Sequence, residues 1–275
     1  MKKVAIQGFE GCFHHIAAEG FFGRDIEIVS CANFRAVART LESGGADLAM
    51  MAIENSIAGS ILSNYKILQN SKFRVIGEVY LQIRQNLLAL PGVKLGDIRE
   101  VQSHSMALQQ CSDFLDDKGW RLVETEDTAF SARHVAESGL RDTAAVAGDL
   151  PARLYGLEIL VPGINTMKNN HTRFLALERL DDNQIEIAGI NKASLCFQVS
   201  HNKGSLVSML RVLEENDLNM SKLQSYPIPS DPWHYMFHLD LEFDDPAKYR
   251  SAFGDMVRHC SNLTVYGEYA KGINI

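Results

Sequence analysis

Leu48-Ala49-Met50-Met51-Ala52-Ile53 runs without a break into Glu54-Asn55-Ser56. Six consecutive apolar residues, with no polar alternation, suit a strand buried on both faces, as in a parallel sheet covered by helices. The run stops in a carboxylate, an amide and a hydroxyl. Open α/β sheets bind ligands beyond the carboxyl ends of their strands, which is where these three residues fall. Asn55 and Ser56 would also serve as caps for a following helix, and the two roles are compatible.

The pattern extends in both directions. Upstream, residues 3–7 read as a strand, Gly8-Phe9-Glu10-Gly11 as a turn and 13–22 as a helix. A glycine turn leading into a helix start can hold an anion on unpaired N–H groups. It is not a dinucleotide fingerprint, because the third glycine is missing. Residues 26–30 read as a strand, and Asn33 as the N-cap of a helix over 34–41 that Gly44-Gly45 ends. Downstream, strands are expected over 73–83, 86–90, 100–104, 120–124, 144–148 and 157–161. Helices are expected over 106–115, over 129–136 (begun by Thr125 or Asp127) and just before Gly156. This alternation predicts an α/β fold with largely parallel sheets.

A second polar segment, Asn169-Asn170-His171-Thr172-Arg173-Phe174, opens the apolar strand that continues through Leu175-Ala176-Leu177. Arg173 offers a planar fork of donors that suits a carboxylate, and Thr172 a hydroxyl beside it. A loop with a solvated arginine is the plain alternative. Residues 181–192 are polar and read as a linker. Beyond them the order changes to strand 194–200, helix 204–215, strands 219–226 and 234–243, helix 246–259 and strand 263–269, a ferredoxin-like βαββαβ. Such small open sheets leave an edge strand unpaired, so a dimer or a dimer of dimers is expected.

Composition narrows the function. The chain of 275 residues is 46% hydrophobic and 22% charged, with a net charge of -7. After residue 180, 13 acidic residues face 8 basic ones. Neither part has the basic face that nucleic acid requires. Met1 to Ile6 is too short an apolar run for a secretory signal, and no run is long enough to span a membrane. The five cysteines (Cys12, Cys31, Cys111, Cys196, Cys260) are scattered, and no pair has metal or redox spacing. Reduced thiols in a cytoplasm are expected.

Taken together, Thr172-Arg173-Phe174 with Asn170 before it, Glu54-Asn55-Ser56, Ser103-His104, Cys111 and the segment Gly8 to Ala18 resemble the prephenate dehydratase family, and residues after the linker resemble an ACT regulatory domain. The resemblance implies a two-lobed catalytic domain over 1–180, like a type II periplasmic binding protein. Lobe 1 would comprise about 1–75 and 165–180, lobe 2 about 76–164, with the ACT domain over 193–275. It implies Thr172 as the catalytic donor. Arg173, Phe174, Asn55, Ser56, Ser103, Glu54 and Gly11 would contact prephenate. Phenylalanine would be the effector, at Asn202, Gly204, Ser205, Leu206, Gln224 and Ser225. The chain departs from the family pattern at Phe9, His14, Ala58, Gln85, Ser105, Met106, Gln224 and Tyr226.

The implied reaction removes carbon dioxide and water from prephenate and leaves phenylpyruvate. It needs no cofactor, because aromatisation drives it. The protein must orient the ring and help hydroxide to leave. A hydroxyl donor that strengthens as charge develops is worth about 3 kcal/mol in other enzymes. Glu54 or His104 could resupply the proton. On this reading a chain ending near residue 182 would keep turnover. The competing class is a non-catalytic two-lobed binding or sensor protein for a carboxylate ligand.

Overall fold

The structure is a computed structural model and describes residues 1–180, 185–228, 231 and 234–275. The first part of the expected linker, residues 181–184, lies outside the described residues. The chain packs as two compact units. One comprises Met1–Ile61, Val79–Phe174 and Asn274–Ile275. The other comprises Leu62–Glu78 with Leu175–Ile273. The resemblance implies 62–75 in lobe 1 and 76–78 in lobe 2.

Two sheets underlie the first unit. In one, the strands follow the order Ile273–Asn274, Phe73–Gln82, His171–Arg179, Leu48–Asn55, Lys2–Gln7 and Ile26–Cys31, and the short strand Gly59–Ser60 pairs with Leu48–Asn55. Lys2–Gln7 is parallel to both of its neighbours. Ala49, Met50, Met51 and Ile53 are wholly buried, as the unbroken apolar run requires.

The other sheet has the order Glu158–Val161, Asn86–Ala89, Thr143–Ala147, Glu100–His104, Arg121–Thr125. Its last three strands are parallel; Asn86–Ala89 is antiparallel to both of its neighbours. The sheets are therefore mixed where the sequence suggested largely parallel ones. Alternate residues serve two cores. Leu87, Ala144 and Val146 pack with Ile98, Val101 and Cys111, while Leu88, Ala145 and Ala147 pack with Ala132 and Val135. Two covered faces account for apolar strands without alternation.

In the second unit four antiparallel strands take the order Asn219–Pro227, Tyr235–Glu242, Lys192–Gln198, Ser261–Tyr269. The helices Ser205–Glu215 and Pro246–His259 complete the βαββαβ sequence of elements. Ala193, Leu195, Phe197, Leu239 and Leu241 pack against Met209, Val212, Leu213, Ala252 and Met256. The alternate residues Lys192, Ser194, His238 and Asp240 are also buried. Two of them meet the segment Leu62–Glu78: Lys192 Nζ lies 2.8 Å from Glu78 Oε1, and the Tyr65 and His238 rings are 4.5 Å apart. Polar residues at alternate positions normally mark a solvated face. Here that face is covered by a segment 114 residues away in sequence from Lys192.

Candidate active site

The carboxyl end of Leu48–Asn55 meets the start of His171–Arg179 through the Asn55 side chain. Its Oδ1 accepts the N–H groups of Ile57 (3.0 Å) and Ala58 (2.9 Å), which fixes the amide orientation. Its Nδ2 then faces three acceptors: Asn170 Oδ1 at 2.7 Å, Thr172 Oγ1 at 3.0 Å and His171 O at 3.2 Å. Ser56 fastens the same segment, since its N–H donates to His171 O at 2.8 Å and its hydroxyl accepts the His171 N–H at 2.9 Å. Asn170 passes the chain of amides on, donating to Gln110 Oε1 at 3.2 Å. Because Thr172 oxygen accepts from Asn55, its own proton is free to point elsewhere.

A cavity of about 210 Å³ lies there. Thr172 and Phe174 line it, while Arg173 between them does not, as strand alternation dictates. Asn55, Ile83, Gln85 and Gln110 line it too, with Gln7 and His14 from the first strand and helix, Cys12 from the turn between them, His104 from the end of a strand of the second sheet, and Glu126 and Asp127 from the turn after its strand Arg121–Thr125. Gln85 is 3% exposed and its Oε1 finds no partner among the described residues, so it can accept from a bound hydroxyl.

His14, the departure from the family serine, accepts the Ala52 N–H on Nε2 at 3.4 Å and stands edge-on to Phe174. Burial holds its pKa down to about 3, so it is neutral with its proton on Nδ1. His104 caps the helix Ser105–Gln110 by accepting the Met106 N–H on Nδ1, which leaves the proton on Nε2. Cys12 is pushed up to about 12 by burial and by the nearby Asp127 charge, so its thiol stays protonated and is no nucleophile. Asp127 is raised above its ordinary value by burial, against the pull of two backbone N–H donors and of His104.

Five expected contact residues lie elsewhere. Gly11 (φ +92) gives its N–H to His15 Nδ1 at 2.9 Å, and Gly8 gives its own to Cys31 O, so these two turn donors are already engaged. Ser103 is wholly buried and donates to Val146 O at 2.6 Å. Glu54 pairs in register with Ser60, and Ser56 serves the fastening described above. Arg173 is 6% exposed behind Thr172. Sequence reading missed Gln110, which is an ordinary helix residue until the fold brings it to Asn170. It read Asp127 only as a helix start, which hid the second oxygen.

In the second unit, Asn202, Ser205 and Leu206 line a cavity of about 350 Å³ with His201, Lys203, His234, Tyr235 and Phe237. Gly204 (φ +87) is the N-cap of Ser205–Glu215. Gln224 and Ser225 do not line this cavity; they lie on the sheet-edge strand, opposite His238 and Phe237.

The cavity thus presents hydrogen-bond donors, an unpartnered acceptor and a carboxyl of raised pKa. Residues 4–182 match the family model described as Prephenate dehydratase, and this chain belongs to that family. It is 32% identical over 274 residues to a bifunctional chorismate mutase/prephenate dehydratase of Enterobacter agglomerans, covering 97% of this chain and 70% of that one. It is 35% identical over 282 residues to arogenate dehydratase/prephenate dehydratase 2 of Arabidopsis thaliana, covering 97% and 72%. Among solved structures it is similar to prephenate dehydratase of Arthrobacter aurescens in complex with L-Phe (26% identity, TM-score 0.85, 98% of this chain and 90% of that one). It is also similar to a protein described as a novel type of quorum quenching acylase (28% identity, TM-score 0.87, 98% of both chains). No helix among the described residues is long and apolar enough to cross a membrane.

Proposed function

We propose that the cavity at Thr172 converts prephenate to phenylpyruvate, carbon dioxide and water. The orientation of Asn55 carries this reading: its amide occupies the Thr172 oxygen and so turns the Thr172 proton toward the cavity. There the hydroxyl donates to the departing oxygen, a bond that strengthens as charge moves onto it. Phe174 and Ile83 supply apolar surface for the ring, and the buried Gln85 Oε1 accepts from the ring hydroxyl before it leaves. Ultraviolet absorbance tests the reaction. Phenylpyruvate should accumulate far beyond the molar amount of protein, whereas a binding protein would consume ligand only stoichiometrically.

The second unit reads as an ACT regulatory domain that binds phenylalanine. The order of its elements, the glycine before Ser205–Glu215 and the cavity lined by Leu206, Tyr235 and Phe237 support this, together with the L-Phe complex of the Arthrobacter aurescens relative. Gln224 and Ser225 lie on an edge strand, so they would reach the ligand from a paired subunit. Calorimetry of the intact protein with phenylalanine should show heat and lowered activity. No heat at millimolar ligand would leave the unit a dimerisation module.

A further inference from the structure

The reaction releases hydroxide, and a threonine hydroxyl polarises that oxygen without supplying a net proton. We propose that Asp127 is the proton donor that turns the departing hydroxide into water, an inference that rests on the reading of the Thr172 cavity as a dehydratase site. Three observations converge on this side chain.

The first is how its two oxygens are used. Asp127 is the N-cap of the helix Thr128–Glu137, and Oδ1 accepts the N–H groups of Ala129 (2.7 Å) and Phe130 (3.2 Å). Oδ2 has no hydrogen bond among the described residues. It lies against the backbone of Gly8, where an added Cβ would sit 2.8 Å from it; the positive φ of +100 at Gly8 admits this approach. Helix capping thus engages one oxygen and leaves the other for chemistry.

The second is the charge around it. Two carboxyl groups, Glu126 and Asp127, line the cavity, and no lysine or arginine does among the described residues. Prephenate carries two carboxylates. A dianion entering such a space disfavours a further negative charge, so substrate binding itself drives the less hydrated carboxyl to hold a proton. Glu126 is exposed to water and Asp127 half-buried. Burial already favours the neutral form of Asp127.

The third is the absence of a better acid among the groups that face it. Cys12 stays a thiol. His14 is neutral, with Nε2 accepting from Ala52. His104 Nδ1 is engaged as the helix cap that accepts the Met106 N–H. The Tyr155 hydroxyl donates to Glu10 O at 2.7 Å and is itself raised above its ordinary value.

The step balances. The bond from the ring to its carboxylate breaks, carbon dioxide leaves and the electron pair enters the ring. The carbon–oxygen bond breaks with its pair on oxygen. The proton on Asp127 Oδ2 passes to that oxygen, water leaves, and the carboxylate regains a proton from solvent through the Glu126 side of the cavity.

Asp127→Asn and Asp127→Ser both keep an N-cap and remove the acid. After wild-type turnover of prephenate has been established, which tests the functional reading separately, kcat and KM are measured across about pH 5–9, with circular dichroism to confirm folding. General acid catalysis predicts a fall in kcat of about a hundredfold in both variants, with KM within about threefold. Wild-type kcat should decline toward alkaline pH, and that limb should vanish in the variants. A solvent deuterium isotope effect on wild-type kcat should vanish with it. Variants with kcat within about threefold of wild type, an alkaline limb that persists, or a loss confined to KM would each overturn the assignment. Absence of any isotope effect in the wild type would do so without a variant.

Discussion

Asn55 Nδ2 lies 3.0 Å from Thr172 Oγ1, across 117 residues of sequence. The bond occupies one acceptor position of the threonine oxygen, and it makes two substitutions informative as a pair. Thr172→Val keeps shape and removes the proton. Turnover should fall by about a hundredfold with little change in KM, the scale of a lost transition-state donor. Near-normal turnover would remove Thr172 from the mechanism.

Asn55→Asp exchanges the amide donor for an acceptor that faces Asn170 Oδ1, His171 O and Thr172 Oγ1. The contacts with Asn170 Oδ1 and His171 O become repulsive, the Thr172 hydroxyl turns its proton back to the new carboxylate and away from the cavity, and the two bonds to Ile57 and Ala58 survive. We expect a stability loss of about 1–2 kcal/mol in urea unfolding, the lower part of the range for polar groups left without partners because Asn55 is half-buried, together with reduced turnover. A variant with unchanged stability and turnover would show that the amide network does not hold Thr172.

Arg173→Lys separates a buried cation from a substrate clamp. Arg173 is 6% exposed and does not line the cavity. Loss of its fork should lower the urea midpoint, with KM for prephenate within about threefold, since Lys cannot reproduce planar bidentate bonding. A tenfold rise in KM at unchanged stability would instead place Arg173 on the substrate.

Stability should peak between about pH 6.5 and 9. His14 and His238 are held at about 3 and about 4 in the folded state by burial, against an ordinary 6.5, and His15 is lowered in the same direction. Below about pH 6.5 the unfolded chain therefore binds protons that the folded chain does not, and stability falls with pH, by up to about 2 kcal/mol for His238 at pH 5. Asp127, raised in the fold, offsets part of this loss. On the alkaline side Cys12 and Cys111 are pushed up to about 12 and Cys196 to about 11, so only the unfolded chain loses these protons above about pH 9, and stability falls again. Urea midpoints at three pH values check the shape. His238→Gln should flatten the acid limb, and an unaltered limb would count against burial as its cause.

A chain ending at residue 182 should not fold as a cooperative unit, contrary to the sequence-based expectation. Leu62–Glu78 packs with residues that such a chain lacks: Lys192 at Glu78, His238 at Tyr65, and Gly267, where a side chain would overlap the Val75 carbonyl. Melting followed by circular dichroism would decide the matter. A sharp transition with wild-type turnover would show that 62–78 needs no cover.

The sequence by itself determined the elements. The unbroken apolar run of 48–53 specified a strand buried on both faces, and Asn33 and Pro246 marked helix starts that the structure shows at Phe34–Glu42 and Pro246–His259. The polar ends at Asn55 and Thr172 pointed to a site. Tertiary structure alone decided the rest. Which strand residues face a cavity depends on register, so Thr172 and Phe174 line it while Arg173 does not. Gln110 and Asp127 join the site only because other elements carry them there, and helical propensity and capping leave no trace of such a second role. The partner of Lys192 was equally hidden. Local pattern reports that a face is polar, but only the packed chain shows whether water or Glu78 covers it.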